Sequence, residues 1–500
     1  MQTVLGIDCG TSSLKALLLD LEGGTAGVAA SSYDVDIPAP GRAEQDPEIW
    51  WSALKNVLAA LRGAHPEAFA AIRGIGLSGQ MHGLVCVDAN GTALRPAILW
   101  LDARTGELTR TLEEKIGMDA VRERLHNRPA AGFAFPSLVW LRDNEPDVYA
   151  RTAAVLAPKD YLRLRLTGET GAERSDASAT GIFDVGAGDW ARELIDRCGI
   201  NPALFPACAD STDHAGTVSG SCAAETGLAR GIPVVYGAGD QPCQSLGNGV
   251  YAEGPVIANI GTGGQIACCS DTDRFDPELR VHTFRHALRG KFTVFGAALA
   301  SGLSLKWLAG ICGGANFETM GKEAAATAPG AGGLLFLPYL SGERTPHMDP
   351  AARGAFMGLD MGHGRGHLAR AVMEGVTFSL LDSLTILDGM GIRPERVIAS
   401  GGGAKSPVWL QIQADIFDKP VTVCREKEQA ALGAAMLAAE GCALATIPEL
   451  AGRCVRYDAD HYAPRREYRG VYEDLYGLYR ELYPANRRIM HTLNAVRHKE

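Results

Sequence analysis

Two glycine-rich turns and one carboxylate carry most of the chemistry legible in this chain. Residues 4–19 (VLGIDCGTSSLKALLL) put Asp8, Gly10, Thr11, Ser12 and Ser13 at the end of an apolar strand. Residues 256–269 (VIANIGTGGQIACC) put Asn259, Gly261, Thr262, Gly263 and Gly264 at the end of another. Turns of small polar residues leave backbone N–H groups free to wrap phosphate oxygens, and Lys15 adds charge beside the first turn. The competing reading is a pair of hairpins that need glycine only for their backbone angles. Recurrence of the pattern about 250 residues later favours phosphate and marks an internal duplication. Near the join, Asp240 stands in a third glycine-rich turn, just before Gln241-Pro242. Proline is tolerated in a first helical turn, so Asp240 is expected at a helix start whose N–H groups keep it ionised. There it is either a general base or a plain capping aspartate worth about 1 kcal/mol.

Other candidates flank these turns. A strand over residues 72–78 ends in Gly79-Gln80-Met81-His82-Gly83, which offers an amide, an apolar wall and an imidazole. Those groups suit sugar hydroxyls, or they form a structural loop with a satisfied histidine. Residues 98–104 (ILWLDAR) read as a strand end, and alternation points Trp100, Asp102 and Arg104 to one side. They either reach a ligand or brace the loop as an Asp–Arg pair. A strand over residues 396–400 runs into Gly401-Gly402-Gly403-Ala404, followed by a helix capped by Ser406-Pro407 and extending through Phe417. Backbone of that kind can approach a flat base and ribose closely. It is not a Rossmann fingerprint, because Ser406 occupies the third glycine position and no acidic residue follows a second strand at the required distance. No G-x-x-x-x-G-K-[ST] loop occurs either. His363 and His367 are four apart, but the surrounding glycines argue against a helix there, so no zinc site is expected.

The elements that must position these residues follow from local pattern. Residues 3–8, 14–20 and 28–35 read as an antiparallel meander. Asp46 caps a helix beginning at Pro47, with Trp50, Leu54, Val57, Leu58 and Leu61 on its sheet-facing side. Residues 105–232 read as insertions with helices over 107–116, 136–143 and 158–168, and a polar run at 174–178. The second half adds a strand near 292–294 and helices over 297–309, 368–387 and 465–490. Its irregular polar segment 337–347 lies between prolines and is expected to touch something.

Composition bounds the function. A chain of 500 residues exceeds one core and predicts two domains. A net charge of −10 argues against nucleic acid and against an anionic membrane. The 12 cysteines are scattered without any C-x-x-C, which points to buried thiols in a reducing, cytoplasmic setting. No leader or transmembrane run is visible. A homodimer is allowed by this reading and not specified by it.

Several strings together resemble the FGGY carbohydrate kinases over nearly the whole length. They are Gly6-Ile7-Asp8 through Lys15, Glu44-Gln45-Asp46-Pro47, Gly79 to Gly83, Pro158-Lys159-Asp160-Tyr161-Leu162-Arg163, Ser341 to His347, and residues 354–374. The resemblance implies an α/β, actin-like (ribonuclease-H-like) duplicated fold with two domains around a central cleft, divided at residues 1–247 and 248–500. It implies ATP-dependent phosphorylation of a ketopentose, D-xylulose first, at its terminal hydroxyl, with Mg²⁺. Ribulose or another ketose or polyol is the alternative substrate, and a non-catalytic sugar-sensing relative is the alternative function. By motif, Asp240 is the base and Asp8 serves the metal–phosphate end. Gln80, Met81, His82, Trp100, Asp102 and Gln241 meet the sugar. Gly10 to Ser13, Lys15 and Gly261 to Gly264 meet the phosphates, and Gly401 to Ala404 border the adenosine. Three departures bear on the sugar and phosphate contacts: Gln241-Pro242 follows the base where Asn is common, Gly263 replaces a serine, and Ser137 replaces a lysine.

Overall fold

The computed structural model describes residues 1–22, 24–459 and 461–497. Its first half is built on β1 (Thr3–Cys9), β2 (Ser13–Asp20), β3 (Gly24–Ser32), β4 (Ile72–Gly79) and β5 (Pro233–Val235). β1 pairs antiparallel with β2, and β2 with β3, while β1 runs parallel to β4 and β4 parallel to β5. On one side of this sheet lie α1 (Pro47–Ala64) and α2 (Pro158–Thr167). Asp46 accepts a hydrogen bond from Glu48 N–H, and the five predicted apolar residues of α1 are buried. The chain then enters α3 (Asp240–Gly247).

The second half repeats the plan with β6 (Pro255–Ile260), β7 (Gly264–Ser270), β8 (Phe292–Ala298), β9 (Arg396–Gly401) and β10 (Val421–Val423). β6, β7 and β8 form the antiparallel meander, and β6, β9 and β10 run parallel. In each sheet these five strands have the order 3-2-1-4-5 with only the second of them reversed, the duplicated ribonuclease-H-like arrangement that the two turns imply, and each sheet adds an antiparallel edge strand, residues His214–Thr217 beside β5 and His282–Arg285 beside β8. Among the helices of this half are α4 (Arg365–Gly389), α5 (Pro407–Phe417), α6 (Gln429–Gly441) and α7 (Arg469–Arg497).

Several boundaries differ from expectation. β8 continues to Ala298 because that residue still pairs with Gly264, so the following helix begins at Gly302. Residues 99–104 are not a strand: pairing stops at Ile98 and the chain turns. α4 begins at Arg365 despite the glycines, with His367 Nδ1 accepting Gly364 N–H. α7 packs on the second half through Tyr472 to Glu374 and Tyr476 to Asp382 hydrogen bonds. All 12 cysteines are free and most are buried.

The halves meet through α3 and α6, which share a core with Val4, Leu17 and Leu19 of the first sheet and Ile257 and Ile398 of the second. This seam has almost no side-chain thickness. A Cβ on Gly6 would lie 1.9 Å from the Ala431 carbonyl oxygen, and one on Gly433 would lie 2.0 Å from that of Cys243. Backbone cannot yield as a flexible side chain can, so Gly433→Ala is expected to destabilise the protein by about 1–3 kcal/mol, the scale of overpacking a core. Calorimetry should show a lowered Tm, and an unchanged Tm would refute such close packing.

Candidate active site

The floor of the cleft is made where β1 and β4 end and α3 begins. Asp8 is paired across β2 with Lys15 and across β4 with Ser78, whose hydroxyl donates to Asp8 Oδ1 at 2.9 Å. Burial pushes the Asp8 carboxyl above its ordinary range, against the pull of Ser78 and Lys15. Lys15, expected to lend charge to phosphates, instead pairs with Glu428 at 2.6 Å, just before α6. Its ammonium therefore ties the two halves together.

Asp240 is the first residue of α3, after Gly239 at the N-cap. Its carboxyl is not held ionised by the helix terminus. Burial, then the neighbouring Asp8 and Asp176 carboxylates, push it up to about 8, and the N–H groups of Gln241 and Asp240 only partly offset them. Gly239 is fixed by its N–H donating to Ser175 Oγ at 3.0 Å. A Cβ there would lie 2.9 Å from Met81 Sδ, so glycine lets Met81 press against the chain just before the base. Gln241 is half-buried on the same turn.

His82 sits beside Met81 with a φ of 69°. Its Nδ1 is 2.6 Å from the Ala179 carbonyl, and its ring stacks on Phe133 at 4.3 Å. A carbonyl only accepts, so Nδ1 carries the proton and Nε2 is left as an acceptor. Burial lowers the imidazole to about 4, so it is neutral at physiological pH.

Gln80 departs from its assigned role. It is 1% exposed, accepts the Thr11 hydroxyl at 3.1 Å and donates to Gln45 Oε1 at 3.1 Å. Gln45 Nε2 in turn donates to the Thr11 carbonyl at 2.7 Å, so both amides hold the first turn in shape. Trp100 donates its indole N–H to Thr11 Oγ1 at 3.0 Å and leaves an exposed apolar face. Asp102 is the brace and not a free ligand group: its oxygens accept from Ala43 N–H at 2.8 Å and Arg104 at 2.7–2.8 Å. Gly10 N–H bonds to the Ser13 carbonyl, while Ser12 and Ser13 complete the turn.

Across the cleft, Gly261 N–H bonds to the Gly263 carbonyl at 2.9 Å. The carbonyls of Gly261 and Thr262 accept from Ser301, Gly302 and Leu303 N–H, which pins the turn to the helix beginning at Gly302. A Cβ on Gly302 would lie 2.3 Å from the Gly261 carbonyl oxygen. A cavity of about 710 Å³ opens beside this turn, lined by Gly261, Gly302, Gly402, Gly403, Lys405 and Trp409 among others. Gly401 and Ala404 lie outside that lining. Gly401, at φ 76°, turns the chain where a Cβ would meet Asn259 Oδ1 at 2.4 Å, and Ala404 packs against the core.

A buried charge cluster beneath the base was missed from sequence. Lys159 is 0% exposed, with its ammonium 2.8 Å from Asp160, 3.1 Å from Asp176 and 3.7 Å from Glu173. Ser175, which fixes Gly239, donates its own hydroxyl to Glu173 at 2.7 Å. The available signal is the set of charges at residues 159, 160, 163 and 165 spaced among apolar residues of one helix.

Comparison with known proteins decides the family. The profile of the FGGY family of carbohydrate kinases, N-terminal domain, matches residues 3–247, and that of its C-terminal domain matches residues 256–442. This chain belongs to the FGGY carbohydrate kinases. It is 36% identical over 499 residues to a xylulose kinase of Bacillus subtilis (strain 168), covering 99% of this chain and 100% of that one. The solved xylulose kinase from Rhodospirillum rubrum is 32% identical, with a TM-score of 0.92, 98% of this chain and 100% of that one covered. A gluconate kinase from Lactobacillus acidophilus superposes almost as well, with a TM-score of 0.91 at 26% identity over 97% of this chain and 98% of that one. The FGGY fold therefore fixes the reaction class, ATP-dependent phosphorylation of a sugar with Mg²⁺, more firmly than it fixes the sugar.

Among the described residues, no group of three or more His, Cys, Asp or Glu side chains could hold a metal. Mg²⁺ arriving with ATP keeps several waters and needs only one or two carboxylates besides phosphate. Asp8, whose charge adds to burial in raising Asp240, would be such a carboxylate. No helix among the described residues is long and apolar enough to cross a membrane.

Proposed function

We propose that this FGGY kinase transfers the terminal phosphoryl group of ATP to D-xylulose, giving D-xylulose 5-phosphate. The observation that carries the reading is the placement of Asp240 beside Asp8 and next to Gly239, which packs on Met81, in a chain 36% identical over 99% of its length to a xylulose kinase. Phosphoryl transfer has a loose transition state, so the protein mainly positions groups and stabilises charge. Asp240 accepts the hydroxyl proton of the sugar. Met81, Trp100 and Gln241 form the walls, and His82 Nε2 accepts a sugar hydroxyl. Glycine turns Gly10 to Ser13 and Gly261 to Gly264 face the phosphates, Gly402 and Gly403 border the adenosine, and Asp8 serves the metal–phosphate end. Mg²⁺ supplies charge neutralisation on the phosphates. The division falls at residues 1–247 and 248–500, and the enzyme works in the cytoplasm on small molecules.

Coupled detection of ADP across D-xylulose, D-ribulose and L-ribulose tests this. The highest kcat/KM is expected with D-xylulose. Higher kcat/KM with either ribulose would move the substrate within the same reaction, and ADP release independent of any sugar would overturn the kinase assignment.

A further inference from the structure

We propose that Arg344 is a sugar-contacting residue supplied by the second half, its guanidinium donating hydrogen bonds to oxygens of the ketose held beside Met81 and His82. This rests on the sugar-kinase reading above and adds a specificity residue to it.

The segment around Arg344 is fastened on both sides. Glu343 Oε1 accepts from Leu299 N–H at 3.0 Å and from Arg344 N–H at 2.7 Å, and its other oxygen lies 3.4 Å from the Ser379 hydroxyl. Thr345 N–H bonds to the Ala297 carbonyl at 3.0 Å, and Ala297 N–H returns a bond to Thr345 Oγ1 at 3.1 Å. Arg344 is thus fixed over the end of β8, whose Ala298 pairs with Gly264 of the second phosphate turn. A residue so placed faces the cleft from the nucleotide side.

Its side chain has no acceptor. Arg344 is half-buried, yet its guanidinium makes no hydrogen bond or ion pair among the described residues, and burial lowers it from the usual arginine value. Elsewhere this chain does not leave buried arginines alone: Arg163 meets Asp160 at 2.5 Å, and Arg370 meets Glu374 at 2.7 Å. The adjacent Glu343 does not serve, because its carboxyl is occupied by backbone and hydroxyl donors and is itself pushed up to about 8 by burial. A partly desolvated cation offset only by the nearby Glu343 charge, with no hydrogen-bond acceptor, is costly, and such a cost persists where a ligand completes the set.

The neighbours give the direction. The charge of Arg344 reaches His82 of the first half and His282 at the edge of the second sheet, and in both it adds to burial in lowering the imidazole. The two histidines are bridged by Phe133 and Phe284, with His82 stacked on Phe133 at 4.3 Å and His282 stacked on Phe284 at 5.5 Å. Ala297, whose N–H bonds to Thr345, packs in one apolar cluster with Met81, Phe133 and Phe284, which puts the Arg344 segment on the sugar side of the cleft. A planar fork of donors suits adjacent hydroxyl and carbonyl oxygens, which an open-chain ketose presents and His82, through Nε2, cannot donate to.

Arg344→Gln and Arg344→Lys test the assignment. Sugar affinity is read by calorimetric titration of D-xylulose without nucleotide, and KM values for sugar and ATP come from coupled ADP release. Arg344→Gln is expected to raise the sugar Kd and KM at least about tenfold, the scale of one lost hydrogen bond to a charged group. The ATP KM should stay within about twofold, and Arg344→Lys, which keeps the charge, should recover part of the sugar affinity. An unchanged sugar Kd in Arg344→Gln overturns the proposal, as does a loss confined to kcat and the ATP KM, which would place the guanidinium on the phosphates. Wild-type enzyme that turns over none of the ketoses would instead defeat the kinase reading, so the two failures are distinguishable. If Arg344→Gln does not fold, the lysine variant alone decides: sugar affinity equal to wild type, with no dependence on fork geometry, would count against it.

Discussion

Asp240→Asn is expected to lower kcat with D-xylulose at least about 100-fold, the low end for removing a general base, while the protein remains folded. The amide keeps the shape of the carboxyl at the start of α3 but cannot accept the sugar proton. The stability consequence has a definite sign. The folded carboxyl is pushed up to about 8 from 3.8, so the fold holds this proton more tightly than the unfolded chain does. Ionising the base therefore costs stability progressively as pH rises from about 4 through 8. Asparagine removes that cost, so Tm at pH 8 should be equal to or above wild type. The same shift sets the pH dependence of the wild type: kcat/KM for sugar should rise with pH, with a logarithmic slope near one below about 8, and then level off. Steady-state ADP release across pH, with calorimetry on both proteins, checks all of this. A variant retaining near-normal turnover would remove Asp240 from the chemistry, and one that lost activity only by unfolding would leave its role undecided between base and cap.

The duplicated fold was legible because its signals are local. An apolar strand followed by Gly10-Thr11-Ser12-Ser13, and another followed by Gly261-Thr262-Gly263, each declare a hairpin within a dozen residues. Asp46-Pro47 likewise declares a helix start by its own chemistry. What the sequence hid lies in contacts between distant segments. The string Gly79 to Gly83 puts Gln80 in the sugar loop, but whether its amide faces ligand or Gln45 depends on a partner 35 residues away. Asp102 and Arg104 could by sequence face a ligand or brace the loop as a pair, and only the turn after Ile98 decides for the brace. The ionisation of Asp240 is hidden for the same reason. Local reasoning weighed helix N–H groups, worth little beside two carboxylates, Asp8 and Asp176, that approach through the fold. The seam at Gly6 and Gly433 was silent because a glycine gives no hint of the backbone pressed against it.

Lys159→Met should produce the largest loss of stability among side chains outside the cleft, about 3–5 kcal/mol, the range for stranding a buried charge. The ammonium is fully enclosed and balances Asp160, Asp176 and Glu173. Two of these have other support, since Asp160 also meets Arg163 and Glu173 accepts from Ser175 and Ser211. Asp176 does not: its carboxyl oxygens are buried without a hydrogen bond, and burial raises its pKa even with Lys159 beside it. Removing the lysine leaves that carboxylate unbalanced beside Gly239 and the base. The pH dependence follows from the directions of shift. Lys159 is raised above 10.5, so its stabilisation is complete throughout the neutral range and is lost only as pH climbs past that value. The stranded carboxyls regain stability by protonation, so the deficit of the variant should be largest above pH 7 and shrink towards pH 5. Adding Asp176→Asn to Lys159→Met should restore at least half of the loss, because replacing both members of a buried pair is far less costly than breaking it. Denaturant titration of the two variants against wild type at pH 5 and pH 8 would measure this, and a double variant no more stable than Lys159→Met would show that Asp176 is not the group the lysine compensates.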